Sequence, residues 1–210
     1  MDMYSVVKEN PILAILRNIP LEYTVDYAQA IVDGGISFFE VALNSEHGLK
    51  QIAILRDRFG EKMYDRSRYS NKCGSCKSSN RSRSSIFAYA GTPIDVLQYC
   101  AKKDIMLLPG VFTPGDVATS LEFGYKTMKL FPAGCTPKGY LKALKGPYDE
   151  ANYIAIGGVT IENINDYFKE GYMGVGLASN LMPLSVLKDE NWDLGVSYVQ
   201  KYVSRVKRRV

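Results

Sequence analysis

The chain has 210 residues, of which 46% are hydrophobic and 23% charged, so one globular domain over residues 1–210 can bury a substantial core. Its net charge is +4, but residues 65–90 hold six basic side chains and one acidic side chain, which leaves 20 basic and 21 acidic residues elsewhere. This distribution argues against a nucleic-acid partner. Because we find neither a membrane-length apolar run nor a signal-peptide pattern, we expect a cytoplasmic protein without a membrane partner.

The cysteines give little support for a disulfide framework or a metal site. Cys73 and Cys76 form a single CxxC, and His47 is the only histidine in the sequence. A zinc site needs about four such ligands. We therefore expect free thiols and no metal.

Short apolar segments alternate with helical patterns outside residues 65–90. The predicted strands are 12–17, 36–43, 104–110, 125–131, 153–158 and 172–178, and the predicted helices are 21–35, 46–60, 93–103, 113–124, 137–146, 159–171 and 194–207. This alternation is typical of a parallel α/β sheet. Six strands, with room for two more in the unusual segment, predict a (β/α)8 TIM barrel. A doubly wound open sheet is the alternative, but no GxGxxG turn follows the first strand.

Two predicted helices have recognisable first turns. Thr113 followed by Pro114 is typical of an N-cap and the first helical position, and Thr160 is predicted to cap a helix near 161–169.

Three predicted strands each carry one charge in an apolar setting. Arg17 ends the first strand, Glu40 lies within FFEVAL, and Lys129 lies within TMKLF. Burial favours the neutral amine of a lysine, and a neutral amine is the nucleophile of Schiff-base chemistry. Each charge alone is better explained by an ion pair or an edge position, but three together favour an active site at the carboxyl ends of the strands.

Two later loops have features of a phosphate site. Gly157 and Gly158 follow the seventh strand of the expected barrel, and Ala178 and Ser179 follow the eighth. The loops after these two strands commonly hold phosphate in such barrels.

Five blocks together resemble the 2-keto-3-deoxy-6-phosphogluconate/phosphogalactonate aldolases. They are ILRNI (15–19), EVALNS (40–45), MKLFPA (128–133), GGVTIENI (157–164) and GVGLASNL (174–181), in the family's order and spacing. The resemblance implies a class I, cofactor-free carbon–carbon lyase of the Entner–Doudoroff type. It would cleave a 6-phosphorylated 2-keto-3-deoxy sugar acid to pyruvate and glyceraldehyde 3-phosphate, and it would form a homotrimer.

The same resemblance implies roles for individual residues. Lys129 would form the Schiff base, and Glu40 would shuttle protons. The keto-acid end would be shaped by Arg17, Phe131 and Pro132, and the phosphate would be held by the loops that contain Gly157, Gly158, Ala178 and Ser179. Asn44 replaces an arginine of the phosphogluconate branch, which favours the phosphogalactonate branch.

Two other functional hypotheses stay open at this point. One is a catalytically impaired barrel that only binds a phosphorylated ligand. The other is a phosphate-binding barrel isomerase or synthase.

Residues 65–90 do not fit the rest of the chain. They are rich in serine and arginine, where the family has its third strand with a GAGTV block, a helix and its fourth strand. A disordered insertion and a basic nucleic-acid-binding patch are two explanations. Permitted codons read in a second frame from Asp65 to Asn71 spell IGAGTV, which favours a third explanation, a compensated pair of frameshifts near 64–65 and 90–91.

Overall fold

The fold is an α/β arrangement of parallel strands, seen in a computed structural model that describes residues 2–42, 45–59, 64–65, 86–88 and 91–207. The strands are β1 (Ile12–Leu16), β2 (Phe38–Val41), β3 (Tyr64–Asp65), β4 (Ile86–Ala88), β5 (Met106–Leu108), β6 (Gly110–Val111), β7 (Thr127–Leu130), β8 (Asn152–Ile156) and β9 (Gly174–Leu177). The helices are α1 (Met3–Glu9), α2 (Thr24–Asp33), α3 (Gly48–Phe59), α4 (Ile94–Lys102), α5 (Pro114–Glu122), α6 (Tyr140–Lys145), α7 (Ile164–Glu170), α8 (Leu184–Lys188) and α9 (Trp192–Lys207).

Every ladder among these strands is parallel. Seven strands form one sheet in the order β3-β2-β1-β9-β8-β7-β6, and β4 pairs with β5 in a second sheet. The segment predicted as one strand over 104–110 is two strands, because Pro109 separates β5 from β6 and proline lacks a ladder donor. Within the described residues no ladder joins β3 to β4, so closure into a (β/α)8 barrel stays a prediction.

The sheet packs an apolar cluster on each face. One cluster contains Leu13, Ile15 and Phe38 and is covered by α1 through Val6 and Val7. The other lies between the sheet and helices that include α2 and α9. Strands with both faces covered read as continuous apolar runs, which is why their positions were predictable.

The capping predictions had different outcomes. Thr113 caps α5 in a capping box with Asp116, and Pro114 is the first helical residue, as predicted. The predicted start near 161 is wrong, because α7 begins at Ile164. The Thr160 hydroxyl instead accepts the N–H groups of Glu162 and Asn163 in a turn before the helix.

Two helices, α1 and α8, were not predicted. Both are short, with seven and five residues, so they show too few turns for a clear apolar period. Within the described residues no helix is both long and apolar enough to cross a membrane.

Candidate active site

The predicted lysine and carboxylate meet on one face of the sheet. Lys129 Nζ on β7 lies 3.4 Å from each carboxylate oxygen of Glu40 on β2. Both side chains are fully buried. These distances exceed the 2.7–2.9 Å of a strong charge-assisted hydrogen bond, so the contact is a loose, bifurcated one.

The position of this pair shows that the sheet is strongly curved. β2 and β7 are four strand steps apart in the order β2-β1-β9-β8-β7. In a flat sheet, four steps of about 4.8 Å would separate the two strands by roughly 19 Å, beyond the reach of the two side chains. Contact at 3.4 Å therefore requires the sheet to bend around the face that carries Lys129 and Glu40.

Burial alters the proton affinity of both groups. It lowers the pKa of Lys129 to about 8, although the nearby carboxylate of Glu40 opposes this shift. It also raises the pKa of Glu40, against the opposing charges of Lys129 and Arg17. Both charged forms are thus disfavoured by loss of solvent, and with a pKa of about 8 roughly a tenth of the lysine is a neutral amine at pH 7.

Arg17 lies at the end of β1, as predicted, and its residue is exposed. Its positive charge acts on both members of the buried pair, because it contributes to lowering the pKa of Glu40 and that of Lys129. A cation within electrostatic range of the amine is suited to hold the carboxylate of a keto acid beside it.

Phe131 and Pro132 directly follow the lysine strand. Phe131 packs against the same apolar cluster as Leu13 and Ile15, and its ring would lie 3.3 Å from a Cβ atom built on Gly157. Phe131 and Pro132 therefore lie against the first of the two predicted phosphate loops.

Gly157 and Gly158 lie after β8 with φ angles of +89° and +82°, which favour glycine. Gly157 accepts a 2.8 Å hydrogen bond from the N–H of Gly134. A Cβ atom on Gly158 would lie 2.9 Å from Gly134 Cα. Two glycines in succession thus let this loop approach the turn that follows the lysine strand.

The second predicted loop, which includes the half-buried Ala178 and the exposed Ser179, is tied to the first. Asn180 donates a 2.9 Å hydrogen bond from its side chain to the carbonyl of Val159, and the Asn180 carbonyl accepts one from Tyr202 on α9. The structure brings the two predicted loops together at the carboxyl ends of adjacent strands.

One residue of this region, Asn163, was not predicted, and one predicted residue, Asn44, lies outside the described residues. Asn163 was not predicted, yet its side chain donates to the Gly158 carbonyl at 2.8 Å and accepts from the Thr160 N–H at 2.7 Å. An asparagine just before a helix was the available signal. Asn44 lies outside the described residues, so its part in substrate choice stays a prediction.

No described group of three or more His, Cys, Asp or Glu side chains is arranged to hold a metal ion, and Cys73 and Cys76 lie outside the described residues. A buried amine of lowered pKa beside a carboxylate, with a cation and two glycine-rich loops nearby, is suited to covalent carbonyl chemistry on a phosphorylated substrate.

Comparison with known proteins agrees with this arrangement. Residues 3–196 match the family model described as KDPG and KHG aldolase, and the chain therefore belongs to this family. It is 27% identical over 199 residues to the 2-dehydro-3-deoxy-6-phosphogalactonate aldolase of Escherichia coli K12, covering 94% of this chain and 97% of the relative. It is 26% identical over 190 residues to the 2-dehydro-3-deoxy-phosphogluconate aldolase of Pseudomonas aeruginosa, covering 87% of this chain and 81% of the relative.

A solved structure described as native KDPGal has the same fold. It superposes with a TM-score of 0.84 at 24% identity and covers 94% of this chain and 95% of the solved chain.

Proposed function

We propose that this chain is a Schiff-base aldolase that cleaves a 2-keto-3-deoxy-6-phospho sugar acid to pyruvate and glyceraldehyde 3-phosphate. The observation that carries the proposal is the buried Lys129–Glu40 contact at 3.4 Å, with the lysine pKa lowered to about 8 by burial. Membership of the KDPG and KHG aldolase family supports the substrate class.

The first half of the reaction begins at Lys129. The neutral amine adds to the C2 carbonyl of the keto acid, and the resulting carbinolamine loses water to form an iminium ion. A base removes the proton of the C4 hydroxyl, the C3–C4 electron pair moves to C3, and the phosphorylated aldehyde departs. The electron pair is then held as an enamine on the lysine nitrogen.

The second half returns the enzyme to its starting state. C3 of the enamine takes a proton, which gives the iminium of pyruvate, and water hydrolyses this iminium to pyruvate and the free amine. Glu40 lies beside the reacting nitrogen and carries the proton transfers through a water or a substrate hydroxyl. Its raised pKa lets it act in both protonation states.

The remaining residues bind the two ends of the substrate. Arg17 pairs with the keto-acid carboxylate, while Phe131 and Pro132 form the wall of that end. The phosphate lies in the two loops that contain Gly157, Gly158, Ala178 and Ser179. The hydrogen bond from Asn180 to Val159 supports this assignment, because it holds the two loops together.

Substrate choice, assembly and location are further parts of the proposal. Asn44 favours the phosphogalactonate epimer, and kcat/KM measured on both epimers tests this preference. The seven-stranded parallel sheet, the parallel β4–β5 pair and the bend between β2 and β7 support one closed (β/α)8 barrel. The family resemblance supports a homotrimer in the cytoplasm, which light scattering and cell fractionation test.

Borohydride trapping tests the central claim. Reduction in the presence of pyruvate should add a pyruvate-derived mass to the peptide that contains Lys129, and the addition should disappear in Lys129→Ala. Absence of the adduct in folded wild-type protein would reject the aldolase and favour a catalytically impaired barrel that only binds a phosphorylated ligand.

A further inference from the structure

The loop that carries Arg17 is fixed by one hydroxyl from the neighbouring strand unit. Asn18, the residue after Arg17, donates its backbone N–H to Ser45 Oγ at 3.0 Å. Ser45 is only 8% exposed and follows β2, the strand of Glu40. The bond therefore joins the loop after β1 to the loop after β2, beside the buried pair.

The backbone of Asn18 needs such a restraint. Its φ angle is +54°, in the left-handed region that residues other than glycine adopt only at a cost, although asparagine tolerates it better than most. This conformation turns the chain directly after Arg17. Without a partner for the Asn18 N–H, both the left-handed turn and the direction of Arg17 lose support.

Ser45 is itself held in place. Its N–H donates to the Ala42 carbonyl at 3.0 Å, and the Ala42 N–H donates to the Leu16 carbonyl at 2.8 Å. These two hydrogen bonds hold the Ser45 hydroxyl against the ends of β1 and β2. A group mounted this way can transmit the position of the strand ends to the next loop.

A second set of hydrogen bonds holds the loop after β1 further along the chain. Gln51 on α3 is fully buried and donates from its side chain to the Ile19 carbonyl at 2.8 Å and to Thr24 Oγ1 at 3.1 Å. Ser45 and Gln51 therefore clamp residues 18 and 19, and Ser45 is the nearer of the two to Arg17 in sequence.

We infer that Ser45 is a positioning residue, which holds Asn18 so that Arg17 is directed at the carboxylate of a keto acid bound to Lys129. This inference rests on the proposed function, since it needs a keto acid at the lysine. The Ser45 hydroxyl accepts the Asn18 N–H at 3.0 Å, so we expect its effect to pass through the neighbouring Arg17.

The test uses pyruvate as the probe and the half-saturation of borohydride trapping as the readout. Ser45→Ala should raise the half-saturation concentration about fivefold to tenfold, the size expected for one lost hydrogen bond, with the maximal trapping rate unchanged. Ser45→Thr should behave as wild type. Ser45→Val, which matches threonine in volume but lacks the hydroxyl, should behave as Ser45→Ala.

A double-mutant cycle separates positioning from general damage. In an Arg17→Ala background, Ser45→Ala should have no additional effect on half-saturation, because the residue that it positions is already gone. Ser120→Ala is the matched control, since the hydroxyl of this buried serine donates to the Asp116 carbonyl within α5, and it should leave half-saturation at the wild-type value.

Failure of the proposed function and failure of the positioning role of Ser45 give different results. If wild-type protein shows no adduct at Lys129, the proposed function fails and this inference falls with it. If wild type is trapped but Ser45→Ala matches it, or if its effect persists in full without Arg17, the positioning role is overturned while the aldolase remains. Comparison of Ser45→Thr with Ser45→Val keeps the test valid should Ser45→Ala fold poorly.

Discussion

Lys129 and Glu40 approach to 3.4 Å although 89 residues and three intervening strands separate them. Neither side chain is exposed to solvent, so each experiences the other's charge without water between them. Because burial penalises both charges, the amine loses its proton more easily and the carboxyl keeps its proton more readily than in water. Since Nζ is fully buried, a keto acid reaches it only when neighbouring atoms move aside.

Glu40→Gln should make the lysine a weaker base while slowing turnover. The Glu40 carboxylate raises the pKa of Lys129, so its removal should lower this pKa below its present value of about 8. The pH midpoint for pyruvate trapping should move to lower pH, while cleavage falls by about 10²–10⁴-fold because the proton carrier is lost. Glu46→Gln, at an exposed site, is the control, and an unchanged or higher midpoint in Glu40→Gln would contradict the coupling.

Replacement of the whole buried pair should stabilise the fold. Glu40→Gln combined with Lys129→Met removes two poorly solvated charges, which should raise the free energy of unfolding at pH 7 by about 1–4 kcal/mol. Lys129→Met alone leaves a carboxyl without its counter-charge and should destabilise. Urea denaturation of the three proteins measures this difference, and a double variant less stable than either wild type or Lys129→Met would count against it.

The stability difference between wild type and the double variant should depend on pH, because the pKa of Lys129 differs between the folded and unfolded states. Lys129 titrates at about 8 when folded and, in the unfolded chain, at about 10.4, so in this window the unfolded state binds more protons. Wild-type stability therefore gains with rising pH between these values, by up to about 3 kcal/mol. The advantage of the double variant should be largest near neutral pH and should shrink towards pH 10.

The sequence allowed most of the sheet and its chemistry to be predicted, for identifiable reasons. Lys129 and Glu40 were found because a charge inside an apolar strand is rare, and their contact follows from the curvature of the sheet. The break at Pro109 and the late start of α7 were not foreseen, because both depend on local hydrogen bonding rather than on apolar period. The hydrogen bond from the Asn18 N–H to Ser45 joins residues 27 positions apart, and neither residue type predicts it.

Tyr153→Phe should stabilise the protein. Tyr153 is 1% exposed, and its hydroxyl has no hydrogen-bond partner among the described residues. Removal of an unsatisfied buried hydroxyl should raise the free energy of unfolding by about 1 kcal/mol and the Tm by about 2–4 °C. Tyr202→Phe is the matched control, because it removes a hydroxyl that donates to the Asn180 carbonyl at 2.7 Å and should therefore destabilise. Equal shifts in the two variants would contradict this explanation.

Gly158→Ala should damage the phosphate end selectively. Alanine would adopt a φ of +82° and place its Cβ 2.9 Å from Gly134 Cα. Gly124→Ala has a similar φ of +84° but no atom within 4 Å of the new Cβ, so it isolates the backbone cost of about 1–2 kcal/mol. Gly158→Ala should lose about 1–3 kcal/mol more and raise KM for the phosphorylated substrate. Pyruvate trapping should change little, and equal stability of the two variants would exclude the steric contact as a cause.

Restoration of the second reading frame over residues 65–90 should increase aldolase activity. Of residues 65–90, the structure describes only Asp65 at the end of β3 and Ile86–Ala88 of β4. The second frame supplies IGAGTV, then an amphipathic segment resembling ISVEAVKAAIEAGA, and the resemblance places the GAGTV threonine against the keto acid. A chain with the restored segment should fold more stably and cleave substrate faster than the chain with the present sequence. Lys129→Ala in the restored chain should remove the increase in cleavage rate. Resequencing of the DNA comes first, since bases that cannot encode GAGTV in the second frame would exclude the frameshift.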